Sequence, residues 1–121
     1  MERMQAAQIL EELEQEARRL AQGDTILDAA FHSWHQRTLT ALDEIYGYAS
    51  SQRGEFAAIR YEQDPSVFDA AERHLRQQAR EIGADINDLR IDLYRAQKHS
   101  YQERLAEAAE VLLSFIISLR A

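Results

Sequence analysis

Apolar side chains recur at steps of three and four along most of the chain, the spacing that gathers them on one face of an α-helix. The first run covers about 2–22, with Ile9, Leu10, Leu13, Ala17 and Leu20 on one side. Gly23 follows where a helix end is expected, and Asp24 or Thr25 can cap the next helix. The second run, about 25–51, reads Leu27, Phe31, Trp34, Thr38, Ala41, Ile45 and Tyr48, with Leu42 beside them. Gly47 falls inside this pattern and is read as tolerated there.

Residues 50–66 interrupt the rhythm. Gly54 and Asp64-Pro65 bracket a stretch that is either a short helix or an extended piece, with Phe56 and Ile59 as plugs for a bundle end. Asp64 as N-cap and Pro65 at the first helical position restart a helix. The third run, about 65–97, carries Phe68, Ala71, Leu75, Ala79, Ile82, Ile86, Leu89, Leu93 and Ala96. Gly83 leaves its phase undisturbed and reads as a soft spot within one helix; the alternative has Asp85 capping a new one. Near Lys98 the phase slips, and Ser100-Tyr101-Gln102-Glu103 has the capping-box form. A turn is therefore expected at 97–100 and a fourth helix at 100–120, carrying Tyr101, Leu105, Ala108, Leu112, Phe115 and Leu119. The competing reading is one continuous helix with the slip as a stutter.

At 1.5 Å per residue these helices measure about 30, 40, 48 and 32 Å. The expected fold is all-α: one domain over 1–121, an up-down-up-down four-helix bundle with a short irregular or helical segment between helices two and three. Composition agrees. Four glycines and one proline leave little loop, and 45% hydrophobic residues suffice for a core. A net charge of −7, from 14 basic and 21 acidic residues, argues against nucleic acid as a partner. With no cysteine there is no disulfide or thiolate chemistry, which fits a cytoplasmic protein. The longest apolar run, Val111-Leu112-Leu113 and Phe115-Ile116-Ile117, falls far short of the about 20 residues a bilayer requires, so no membrane association is expected. Met1 leads straight into a charged amphipathic stretch, which is no signal peptide.

Few residues suggest chemistry. Asp28, His32 and His35 share one helical face at i, i+4 and i+7 and are candidate metal ligands, although a polar flank beside the core is the simpler explanation. No histidine has Glu three residues before it, which excludes the di-iron bundle signature. Arg95 and His99 form a basic pair at the expected third turn, with three residues between them where the helical HEPN ribonucleases place four to six between Arg and His. The rows Asp85, Asp88, Asp92 and Glu103, Glu107, Glu110 read as solvated faces. Arg73, Arg76 and Arg80 offer a basic strip for an acidic partner helix. Neither catalytic residues nor a cofactor is expected.

The order Trp34, Leu42, Tyr46-Gly47, Ser50 or Ser51 and Phe56, followed by Ala108-Ala109 and Leu112-Leu113, resembles a helical accessory domain. Such domains stand beside TIR-like and other nucleotide-sensing effector domains in bacterial defence proteins. The resemblance spans about 27–120 and implies self-association or adaptor contacts, not catalysis. No effector domain follows Ala121 here, so it implies an isolated domain or a stand-alone relative.

The functional expectation is thus a non-enzymatic protein–protein interaction or oligomerisation module, in a defence or regulatory system. Val111, Leu113, Ile116 and Ile117 surround the core stripe of the last helix, and a helix apolar all round needs burial on every side. A homodimer through that helix is expected, or a partner protein in its place. The alternative is a metal-binding or HEPN-like enzyme or ligand sensor.

Overall fold

Two glycines draw the helix boundaries that the apolar rhythm leaves blurred. In the computed structural model, which describes residues 1–62, 65–83 and 85–121, Gly47 adopts φ 99° and Gly83 φ 68°. Residues with a Cβ reach positive φ at a cost of about 1–2 kcal/mol, so glycine stops a helix at these points cheaply. Both were expected to be absorbed within helices; both end one. Asp85 then caps the next helix, its Oδ1 accepting from the Asn87 N–H at 2.9 Å.

The chain is all-helical, with five helices and no strand among the described residues: α1 (Arg3–Ala21), α2 (Ala29–Tyr46), α3 (Ser51–Ala57), α4 (Pro65–Ile82) and α5 (Ile86–Arg120). The second helix begins four residues later than expected, because Asp28, rather than Asp24 or Thr25, is its N-cap. The third helix ends at Ile82, and the turn expected at 97–100 is absent. Asp64 as a cap, and the side chains of Phe68, Ile86 and Asp88, lie outside the described residues.

The core lies between α1, α2 and the C-terminal half of α5. α1 runs antiparallel along α5, tied by Arg3 to the Ser118 carbonyl (3.1 Å) at one end, Arg18 to Glu110 (3.2 Å), and Lys98 to Asp24 (3.3 Å) at the other. Small residues on both helices, Ala6, Ala7, Ala17, Ala108 and Ala109, are buried and permit this close approach. α2 is held to α1 by Trp34, fully buried, whose Nε1–H donates to the Leu13 carbonyl at 2.9 Å. From α5 it is separated by aromatic side chains: Phe31 meets Tyr101 with ring centroids 5.5 Å apart, and Tyr46 meets Phe115 at 5.7 Å.

The side of the body where a fourth helix belongs is taken by α3 and the strap at 58–61. Ser50 caps α3 by accepting from the Arg53 N–H, and the segment turns back along α2. Phe56, fully buried, meets Trp34 at 5.7 Å; Tyr61 meets Phe31 at 4.8 Å; Ile59 packs against the same core. Phe56 and Ile59 therefore seal a flank of the body, not its end. Tyr48, expected in the core, is solvent-exposed beyond Gly47, with the Arg53 guanidinium 4.4 Å over its ring.

With its fourth side closed, the body has no place for α4, which packs on α5 alone among the described residues. The up-down-up-down bundle is thus replaced by a three-helix body with a projecting α4–α5 hairpin. The phase slip on α5 explains the geometry. From Ala96 to Tyr101 is five residues, about 140° around the helix axis. Leu89, Leu93 and Ala96 therefore face a different direction from Tyr101, Leu105 and Leu112. The slip records a change of partner along one unbroken helix, from α4 to α1 and α2.

Tyr61 is buried, and its hydroxyl finds no hydrogen-bond partner among the described residues. Burial above all, with the Glu107 charge second, pushes this phenol well above its ordinary range. Two substitutions should act in opposite directions. Trp34→Phe loses the bond to Leu13 and leaves a void, and should cost about 2–3 kcal/mol in urea unfolding. Tyr61→Phe removes an unpaired polar group and should be neutral or stabilising by up to about 1 kcal/mol. A clear loss on Tyr61→Phe would show that the hydroxyl is satisfied in solution.

Candidate interaction surface

Asp28, His32 and His35 are not brought together as ligands. Asp28 is committed to the helix start: its Oδ1 accepts from the Phe31 N–H at 2.9 Å and its Oδ2 from the Thr25 hydroxyl at 2.6 Å. The Thr25 hydroxyl, then the Phe31 amide, hold its carboxyl below the usual carboxylate range. His32 is exposed, whereas His35 turns inward between aromatic rings. No group of three or more His, Asp or Glu among the described residues is arranged to hold a metal ion.

Arg95 and His99 sit in the middle of α5, not at a turn. Arg95 lies 3.9 Å from Asp92, and the His99 Nε2 lies 2.9 Å from Glu103, all exposed. These are helix-surface pairs, worth little individually, and no third group converges on them. Nor does a groove of about 450 Å³ between α1 and α2 gather a reactive set: Ile9, Leu13 and Ala41 lie beneath Glu12, Glu16, Arg19 and Arg37, and Arg37 pairs with Glu16.

The four residues expected on a dimer face separate. Ile116 is buried at 3% exposure and belongs to the core of its own chain, which corrects its assignment to an interface. Val111 and Leu113 are half-buried, Val111 packing against the same core, and only Ile117 stands out, at 62%. The helix is less apolar on its outside than the sequence suggested, because α1 and the α2 aromatics cover a wider arc than one neighbouring helix would.

The hairpin exposes more. Ala79 is the single buried residue among its described side chains, while Leu75, Leu89 and Leu93 are half-buried and Ile82 is 66% exposed. A second row accompanies these. Ile91, Tyr94 and Lys98 continue, at steps of three and four, the α1-facing stripe of Tyr101 and Leu105. α1 ends at Ala21, and beyond it only Asp24 reaches this row, through its carboxylate to Lys98 and its carbonyl to the Tyr94 hydroxyl (3.4 Å). Ile91 and Tyr94 consequently remain 50% and 45% exposed. The sequence reading followed one stripe on this helix and missed the second; the three-four spacing of 91, 94, 98 and 101 was the available signal.

Charge is distributed unevenly in the same sense. Residues 65–98 contain six acidic and six basic side chains, so the whole net charge of −7 lies outside the hairpin. Among the described residues its ion pairs are internal apart from Lys98 to Asp24, with Arg76 and Arg90 each about 3 Å from Glu72. No helix among the described residues is long and apolar enough to cross a membrane. Comparison with protein-family models, with curated proteins and with solved structures finds no match.

The role of Asp28 is testable. Asp28→Asn keeps a capping oxygen and should retain the thermal midpoint at pH 7, whereas Asp28→Ala should lower it. Because the folded-state pKa is depressed, the carboxylate's contribution is present above its unfolded value near 4 and disappears as pH falls through the lower folded one. A chelator should leave every midpoint unchanged; a drop in wild type alone would establish a metal at this face.

Proposed function

We propose that this chain is a non-enzymatic helical interaction module that self-associates, with the α4–α5 hairpin as the contact surface. The observation that carries the reading is the half-covered hairpin: two helices with apolar rows on both sides and, among the described residues, one buried side chain, Ala79, between them. Helices of this length are marginal unless an apolar face is packed. A second hairpin would supply the missing half of a four-helix arrangement, so the bundle expected from the sequence forms between copies, not within one.

A second copy is the partner that the charges favour. Contact through α1, the loops or the C-terminal half of α5 brings together surfaces that share the net charge of −7. The hairpin is neutral, and its Arg73, Arg76 and Arg80 lie on α4 while Asp92 lies on α5 and Asp85 at its N-cap. In a twofold, isologous contact each helix meets its counterpart's neighbour, so both signs find partners. The resemblance to accessory domains of bacterial defence proteins supports the same kind of role, with the cytoplasm as its compartment.

Light scattering on a size-exclusion column tests this. The wild-type chain should run at twice its 14.0 kDa mass at micromolar concentration, and Ile91→Glu should run as a folded monomer. Dissociation by Ile117→Asp instead would move the contact to the C-terminal end of α5. A wild-type monomer at all concentrations would overturn self-association.

A further inference from the structure

His35 occupies an unusual position for a titratable side chain. Its ring stacks on Phe31 at 5.7 Å with planes 26° apart, and on Phe56 at 5.5 Å with planes 28° apart. Tyr61 closes a third side edge-on at 5.6 Å and 83°. Phe31 belongs to α2 itself, whereas Phe56 and Tyr61 belong to α3 and the strap. The imidazole is thus the middle layer joining the strap to the body. No other polar ring has this arrangement among the described residues, and no carboxylate there pairs with it.

We propose that His35 is the pin of an acid-sensitive latch: its neutral ring holds α3 and the 58–61 strap against α2, and protonation releases that segment. An imidazolium between two phenyl faces gains some attraction from the rings but loses water on both faces. The groups turned toward the ring are His32 from α2 and Tyr61 from the strap, with Tyr101 and Glu107 of α5 behind Tyr61. His32 adds repulsion as it charges, and the strap brings no compensating acid. Burial, and then His32, hold the His35 pKa below its ordinary value. The unfolded or released form therefore binds the proton more readily. Stability of the latch is complete above the unfolded value near 6.5 and declines as pH falls through it toward the lower folded value.

The strap is the part poised to move. It carries the buried Tyr61 hydroxyl, unpartnered among the described residues, a group that gains hydrogen bonds to water on release. Its departure would bare the Trp34 and Phe31 rings, opening an apolar flank on the body while α1 and α5 stay paired. The inference does not depend on self-association.

Amide hydrogen exchange and a histidine NMR titration on the full chain decide the matter. Between pH 7.5 and 5, after correction for intrinsic exchange, protection of residues 51–61 should fall. That of α1 should change much less. The midpoint should coincide with the His35 ring titration, below the free-imidazole value near 6.5. His35→Phe keeps the stack without the proton and should abolish the pH dependence; His32→Gln should retain it. Protection that is independent of pH in wild type, or dependence that survives His35→Phe, would overturn the latch. Should His35→Phe fail to fold, the wild-type ring titration and strap protection still decide, since a His35 midpoint at or above the free-imidazole value near 6.5 refutes the proposal.

Discussion

A long helix without an equally long partner is the constraint on which the rest of this structure depends. α5 has 35 residues, about 52 Å, whereas α1 has 19 and α2 has 18, about 28 Å each. Shorter helices can cover only part of it, and they cover the C-terminal part, where alanines permit close approach and aromatics fill the wider gap. What remains must find another partner or stay wet. α4 supplies one on a different side of the helix, and the row of Ile91 and Tyr94 stays partly exposed. The projecting hairpin is therefore a consequence of lengths and phase, not an appendage added to a finished bundle.

The body solves a second problem, that of α2. This helix is joined to α1 through one buried indole bond and stands away from α5, so a flank opens between them. A short helix and a strap close it with Phe56, Ile59 and Tyr61. These reach the core from a connection of few residues and leave the Tyr61 hydroxyl without a partner. Burial also pushes the phenol of neighbouring Tyr101 up to about 12, the Asp28 charge adding to this and a backbone hydrogen bond at Leu27 opposing it. Polar groups sit in this aromatic cluster at a cost, whereas the α1–α5 contact is almost wholly apolar inside. The two sides of one small body thus differ in how firmly they are closed.

Much of this was legible in the amino-acid order. The all-helical class, the start at Pro65, the inward faces of α1 and α2 and the stripe from Tyr101 to Phe115 follow from spacing alone, because burial on one face imposes it. Gly47 and Gly83 were harder to read. An apolar rhythm that runs on past a glycine looks the same whether the chain continues or turns, and only the left-handed backbone separates the cases. The slip near Lys98 misled in the opposite direction. Ser100 and Glu103 mimic a capping box, yet the slip reflects the angle between two neighbours of one helix. Ile116, expected on an outer face, is buried in the core of its own chain: a count of apolar residues around a helix says nothing of how wide an arc its neighbours cover. Asp28 appeared beside two histidines on a helical wheel, although its oxygens were needed at the helix start.

The disposition of charge links the two halves of the molecule. An acidic body repels its own copies, which keeps the α1 and α5 surfaces apart in solution, while a neutral hairpin allows close approach. Mixed signs on the hairpin serve selectivity more than affinity, since surface pairs contribute little singly and like-charge mispairing is disfavoured. The apolar rows must then supply the association energy. They are narrow, with Ile82, Ile91 and Tyr94 as the well-exposed members, so the contact they support is modest and responsive to concentration. A module built this way adds little to binding as a single copy and gains strength when several are held together, because linked contacts multiply through effective concentration. Under the proposed self-association, function rests on helix faces and on number.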